Sequence, residues 1–233
     1  MSTHLVKHQK ITKRQMKEDP LVTAAFRATA QWERHGRRIL VGIGVLALLA
    51  LLGFFMMQAR SKAEEKASGD LFRANLAAMQ GDYTSAAPTL KEIIDNEPGT
   101  GAARDAMLLL GDSFASQGKP GEAAGWYRKY IDKSGGDKER QRVGYLGLAT
   151  ALEDGGQFGP AADAYASSAE RSKTDNLRGR AMLGQARSLA RAGQTAKAIE
   201  IYKKITLLPQ AEAGITNAAD VRLGELQAAP TTP

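Results

Sequence analysis

Three imidazoles, His4, His8 and His35, are the only ones in 233 residues, and cysteine is absent. A helix would bring His4 and His8, four residues apart, onto one face at the spacing of a two-histidine metal site. They stand in a charged, polar stretch, so no metal is expected there. His35 immediately precedes a long apolar run, where an imidazole can ligate a pigment or metal or simply form the polar tip of an amphipathic face. Beyond the run there is neither His nor Cys, so Ser–His and Cys–His nucleophiles, thiolate sites and imidazole-ligated metals have no candidates. The glycine pair Gly42 and Gly44 lies inside the apolar run, where it suits helix packing better than phosphate binding. The expectation is a protein that is not an enzyme, with no cofactor, no metal and no small-molecule substrate.

Charge is the chemistry that remains, and its location decides its meaning. The net charge is +7. Residues 1–38 hold nine Lys or Arg against three acids, and the rest of the chain holds 23 against 22. The excess therefore belongs to the N-terminal stretch, which removes the basic surface that a nucleic-acid partner would need on a folded domain.

Ile39–Met57 is a run of 19 residues with no charged or polar side chain, about 28 Å long as a helix, enough to cross a bilayer core. The segment before it is long for a cleavable signal and no small-residue cleavage site follows, so an uncleaved anchor is expected. The basic excess ahead of the run places that side in the cytoplasm and the larger part across the membrane, which in a bacterium is the periplasm. Asp19-Pro20 is a helix start. From there Leu21, Val22, Ala25, Phe26, Thr29 and Trp32 form one apolar stripe over residues 20–35, suited to the lipid interface, with Arg37 and Arg38 at the headgroups, or to a neighbouring cytoplasmic subunit.

Past the run the sequence repeats. Glycines at Gly81, Gly118, Gly156 and Gly193 are separated by 37, 38 and 37 residues. Five residues after each comes Ala86, Ala123, Ala161 or Ala198, and four further on Leu90, Tyr127, Tyr165 or Tyr202. Seven residues before each glycine stand Ala74, Gly111, Ala149 and Ala186, and three before those Leu71, Leu108, Leu146 and Leu183. Small side chains let two helices approach and large ones fill the space between, so the columns predict an all-α solenoid of four helix pairs over about residues 67–208. A capping helix follows near 215–227.

These columns resemble the tetratricopeptide repeat: a small residue in helix A, a turn glycine, an alanine in helix B and an aromatic one turn on, with Pro98 as the proline that often closes the motif. The period exceeds the family's 34 residues and the usual helix-A tryptophan is missing, which implies longer loops such as 99–101 and 134–136. The resemblance implies a partner-binding groove lined by helix A. Its candidates are Leu71, Leu108, Leu146 and Leu183; Asn75, Asp112, Thr150 and Arg187; and Met79, Ser116, Asp154 and Arg191. With Glu153 and Arg180, the polar columns run from neutral through acidic to basic.

The organisation expected is a basic tail (1–38), a transmembrane helix (39–57), a repeat domain (58–227) and a tail (228–233). It resembles the ancillary subunits of the SecYEG translocon, the YfgM-like family, as does the stretch from Ile11-Thr12-Lys13-Arg14 to Glu18-Asp19. That resemblance implies a translocon and periplasmic chaperones as partners. A stabilising subunit of a photosynthetic or respiratory complex is the alternative. Either way the partners expected are protein subunits of a membrane complex and membrane lipid, with no nucleic acid.

Overall fold

The computed structural model describes residues 20–228, with side chains from Gly36 onward except that of residue 39. Helix α1 runs from Pro20 to Met79. Its part up to Ala59 belongs to one compact unit and its part from Arg60 to another. In the first unit Leu40–Met57 is an unbroken helical run with its large apolar side chains exposed, Leu46 at 67% and Met57 at 76%. Among the described residues, this is the one helix long and apolar enough to cross a membrane.

The second unit holds the end of α1 followed by α2 (Tyr83–Asn96), α3 (Gly101–Ser116), α4 (Pro120–Asp132), α5 (Lys138–Asp154), α6 (Phe158–Arg171), α7 (Asp175–Arg191), α8 (Thr195–Thr206) and α9 (Ala213–Ala228). The four pairs are α1/α2, α3/α4, α5/α6 and α7/α8: Ala67, Ala74 and Ala78 of α1 share a core with Ala86 and Leu90 of α2, and from α2 onward each helix packs on its neighbours in sequence, with α9 against α7 and α8. The expected all-α repeat stack and its closing helix are what the chain forms.

One device ends helix A in every pair. Gly81, Gly118, Gly156 and Gly193 all have φ between 70° and 81°, where a Cβ would be strained. The next amide reaches back to the fifth residue before it: Asp82 to the Ala77 carbonyl, Lys119 to Phe114, Gln157 to Leu152 and Gln194 to Leu189, at 2.8–2.9 Å. This left-handed cap satisfies carbonyls left open at the helix end and reverses the chain into helix B.

The alanine columns sit where the packing argument requires, Ala86, Ala123, Ala161 and Ala198 all fully buried. The aromatic column shows how tightly. A Cβ on Gly147 would come 2.5 Å from Tyr127, one on Gly111 2.8 Å from the same ring, and one on Gly184 2.6 Å from Tyr165. Tyr127 and Tyr165 therefore each lean on the next pair's helix A at a glycine. At the corresponding positions one pair earlier stand Leu90 and Leu109, in the same core.

The loops that lengthen the period also carry caps. Thr100 accepts from the Ala103 amide at the start of α3, and Glu64 of α1 accepts from the amides of Gly101 and Ala102 at 2.7 and 2.9 Å. A carboxylate there meets both the open N–H groups and the positive end of the helix dipole.

Candidate protein-binding groove

Helices α1, α3, α5 and α7 place the helix-A columns on one face of the repeat unit. Leu71, Leu108 and Leu183 are half-buried and Leu146 is 37% exposed, whereas Asn75, Asp112, Thr150, Asp154, Arg187 and Arg191 all reach solvent. Glu153 faces inward, with 6% of its surface exposed.

Two sub-sites result. Between α1 and α3 the predicted Leu71, Asn75, Leu108 and Asp112 line a cavity of about 390 Å³ together with Ser68, Phe72, Asp105 and Leu109. Tyr127 donates its hydroxyl to Asp112 at 2.6 Å. Burial pushes the Asp112 carboxyl above the usual carboxylate range, against the pull of that hydrogen bond. It also raises Asp105, although Arg104 and Arg140 act in the opposite direction.

Between α5 and α7 the structure draws Thr150, Glu153, Arg187 and Arg191 into one polar network. Arg187 donates to both Glu153 oxygens at 2.7 and 2.8 Å, Arg191 adds a contact of 3.4 Å, and Tyr165 donates its hydroxyl to Glu153 at 2.9 Å. Thr150 lies 3.3 Å from the Tyr165 hydroxyl. The Arg187 hydrogen bonds hold the Glu153 carboxyl below the usual range, outweighing its burial. Arg191 also stacks over Phe158, 4.2 Å from its ring centroid. The arginines at this end are thus already engaged by a side chain of the preceding pair, a juxtaposition across 34 residues that the columns do not reveal. Arg180 pairs with Glu212 in the loop before α9.

The other sequence candidates divide. Arg37 and Arg38 are exposed on α1. His35, Phe26 and Trp32 fall in α1, but their side chains lie outside the described residues, as do His4 and His8 altogether. The columns missed Phe72 and Asp105. Phe72 stands next to Leu71, and a large aromatic where Gly147 and Gly184 stand later was the available signal.

The sequence profile of the tetratricopeptide repeat matches residues 71–138 and 146–212. No curated protein matches the chain. Among solved structures, the nearly identical TPR-like repeats assigned to a putative kinesin light chain of Podosopora anserina superpose with a TM-score of 0.58 at 13% identity, covering 70% of this chain and 86% of that one. A variant of the same repeats gives a TM-score of 0.57 at 14% identity, covering 70% and 85%. At such identity these likenesses speak for the fold alone, and they agree with the capped helix pairs. With more than half of its residues matched and the glycine, alanine and aromatic columns packed as the motif requires, the chain belongs to the tetratricopeptide repeat family.

Proposed function

We propose that this protein is a non-catalytic, membrane-anchored scaffold, an accessory subunit of a multi-subunit inner-membrane complex whose repeat domain holds an extracytoplasmic partner. The observation that carries the reading is the joining of an exposed apolar helix at Leu40–Met57 to a stack of protein-binding repeats in one chain. The basic excess before the run favours a cytoplasmic N-terminus and a periplasmic repeat domain. Phe26, Trp32, Arg37 and Arg38 would meet lipid at the cytoplasmic interface, with 1–38, 39–57 and 58–227 as tail, span and repeat domain.

Within that reading the partner is a protein-secretion machinery, with the chain acting as an ancillary translocon subunit of YfgM-like type. The stretch from Ile11 to Asp19 and the order of tail, span and repeats support it. The helix-A residues Leu71, Asn75, Leu108, Asp112, Leu146, Thr150, Glu153, Asp154, Leu183, Arg187 and Arg191 would form or brace the binding face. Extraction of native membranes in mild detergent, purification through a tag after Pro233 and mass spectrometry of the co-migrating species test it. Translocon subunits and periplasmic chaperones are the expected result. A pigment- or haem-bearing complex at fixed stoichiometry would turn the assignment to a stabilising subunit of a photosynthetic or respiratory assembly, and a chain migrating alone would sink the scaffold reading.

A further inference from the structure

Two independent features single out the groove between α1 and α3. The first is register. By the 37, 38, 37 offsets, Leu76 of α1 corresponds to Ser113, Ala151 and Ser188, and Phe72 to Leu109, Gly147 and Gly184. In α3, α5 and α7 that face packs beneath the preceding helix B, leaving Ser113, Ala151 and Ser188 no more than 2% exposed. Among the described residues no helix B precedes α1, and here Phe72 and Leu76 are 69% and 48% exposed. Where the later helices place Ser113, Ala151, Ser188, Gly147 and Gly184, and in α3 the half-buried Leu109, the first helix carries Phe72 and Leu76 in the open.

The second is charge. The cavity beside Phe72 is bordered by Asp105 and Asp112, and no Lys or Arg lines it. Among the described residues neither carboxylate takes part in an ion pair. Partial burial raises both carboxyls, outweighing Arg104 and Arg140 at Asp105 and the Tyr127 hydroxyl at Asp112, so an incoming cation would meet two accessible carboxylates whose charge is answered only in part. At the far end of the same face Glu153 is held by both Arg187 and Arg191, so that network offers no free carboxylate, whereas the α1/α3 cavity offers two.

We propose that the α1/α3 groove docks a segment of a partner protein that seats an apolar side chain on Leu71, Phe72 and Leu108 and presents a lysine or arginine to Asp105 and Asp112. This rests on the scaffold reading and specifies the chemistry of the segment held. An apolar floor supplies area and a flanking carboxylate pair supplies selection, since a segment bearing acids instead would meet like charge.

The test uses the full chain in detergent micelles and two labelled synthetic peptides with one leucine pattern, one carrying lysines and the other glutamates at the remaining positions. Fluorescence anisotropy should give the lysine peptide a dissociation constant at least about ten-fold lower. The double variant Asp105→Asn/Asp112→Asn should abolish that preference, Phe72→Ser should weaken binding, and Asp220→Asn on α9 should change neither. All four side chains are exposed, and unchanged helical circular dichroism and melting confirm that each variant folds. Equal affinity for the two peptides, binding of neither, or a lysine preference that survives the double variant overturns the proposal. An intact membrane complex in the co-purification alongside any of these results would overturn the groove assignment and leave the scaffold reading standing.

Discussion

Arg187 grips Glu153 across the boundary between the third and fourth helix pairs, with guanidinium nitrogens 2.7 and 2.8 Å from the two carboxylate oxygens. The pair is asymmetric: the acid is buried and the base is half in solvent, with side-chain exposures of 7% and 55%. Removing the base strands a desolvated charge, whereas removing the acid lets Arg187 turn to water. Arg187→Met should therefore destabilise by about 2–3 kcal/mol and Glu153→Gln by about 1 kcal/mol, below fully buried pairs because one partner is wet. Urea denaturation of the repeat region within the full chain in micelles checks the order.

The acid limb of stability separates two carboxylates. Glu153 has a lowered folded value, so its contribution is present above its unfolded value of about 4.3 and is lost as pH falls through the folded one. Asp112 has a raised value, so its contribution is present below about 3.9 and is lost as pH rises through the folded one. Between about pH 5 and pH 3, Glu153→Gln should lose less stability than the parent and Asp112→Asn more. Denaturant midpoints across that interval measure both slopes.

The slot between Tyr127 and Gly147 predicts a coupling. Gly147→Ala gains about 1 kcal/mol of helix propensity but forces a methyl within 2.5 Å of the ring, an overpacking cost of about 1–3 kcal/mol. The net should be a loss in the parent and a gain in the Tyr127→Leu background. A double-mutant cycle by thermal melting reads this directly.

Two glycines in one region should respond with opposite signs. Gly118 sits at φ 70° in the cap after α3, so Gly118→Ala should cost about 1–2 kcal/mol. Gly125 lies within α4 with open space around it, so Gly125→Ala should stabilise by about 0.5–1 kcal/mol. Thermal melting of the two single variants reads both signs.

Glu64→Ala should free the Gly101 and Ala102 amides, costing about 1 kcal/mol. Hydrogen exchange should quicken in the first turn of α3 and stay unchanged in α7.

The fold was legible because each column answers to one local demand: a left-handed cap needs glycine at Gly118, and a close crossing needs alanine at Ala123. The site was legible only by column. Spacing set Leu71, Asn75, Leu108 and Asp112 on one face, where they share a cavity. It could not show that Glu153 turns inward, because that depends on Tyr165 and Arg187 arriving from other helices. Nor did it single out Phe72, whose exposure follows from lying on the first helix of the stack, a fact of position rather than of residue type. Glu64, whose spacing from Arg60 suits a pair along one helix, caps α3 instead.

The exchange of bulk between neighbouring helices, Leu90 with Leu109 but Tyr127 with Gly147 and Tyr165 with Gly184, also writes a grammar for rearranging the gene. Excising the third pair would bring Tyr127 against Gly184, a junction of the kind the chain already uses. Excising the second would set Leu90 against Gly147 and leave a hole where two side chains had been matched. Duplication and loss of pairs during descent would thus be tolerated at some junctions and penalised at others, and the stack can change length only where ring and glycine still meet.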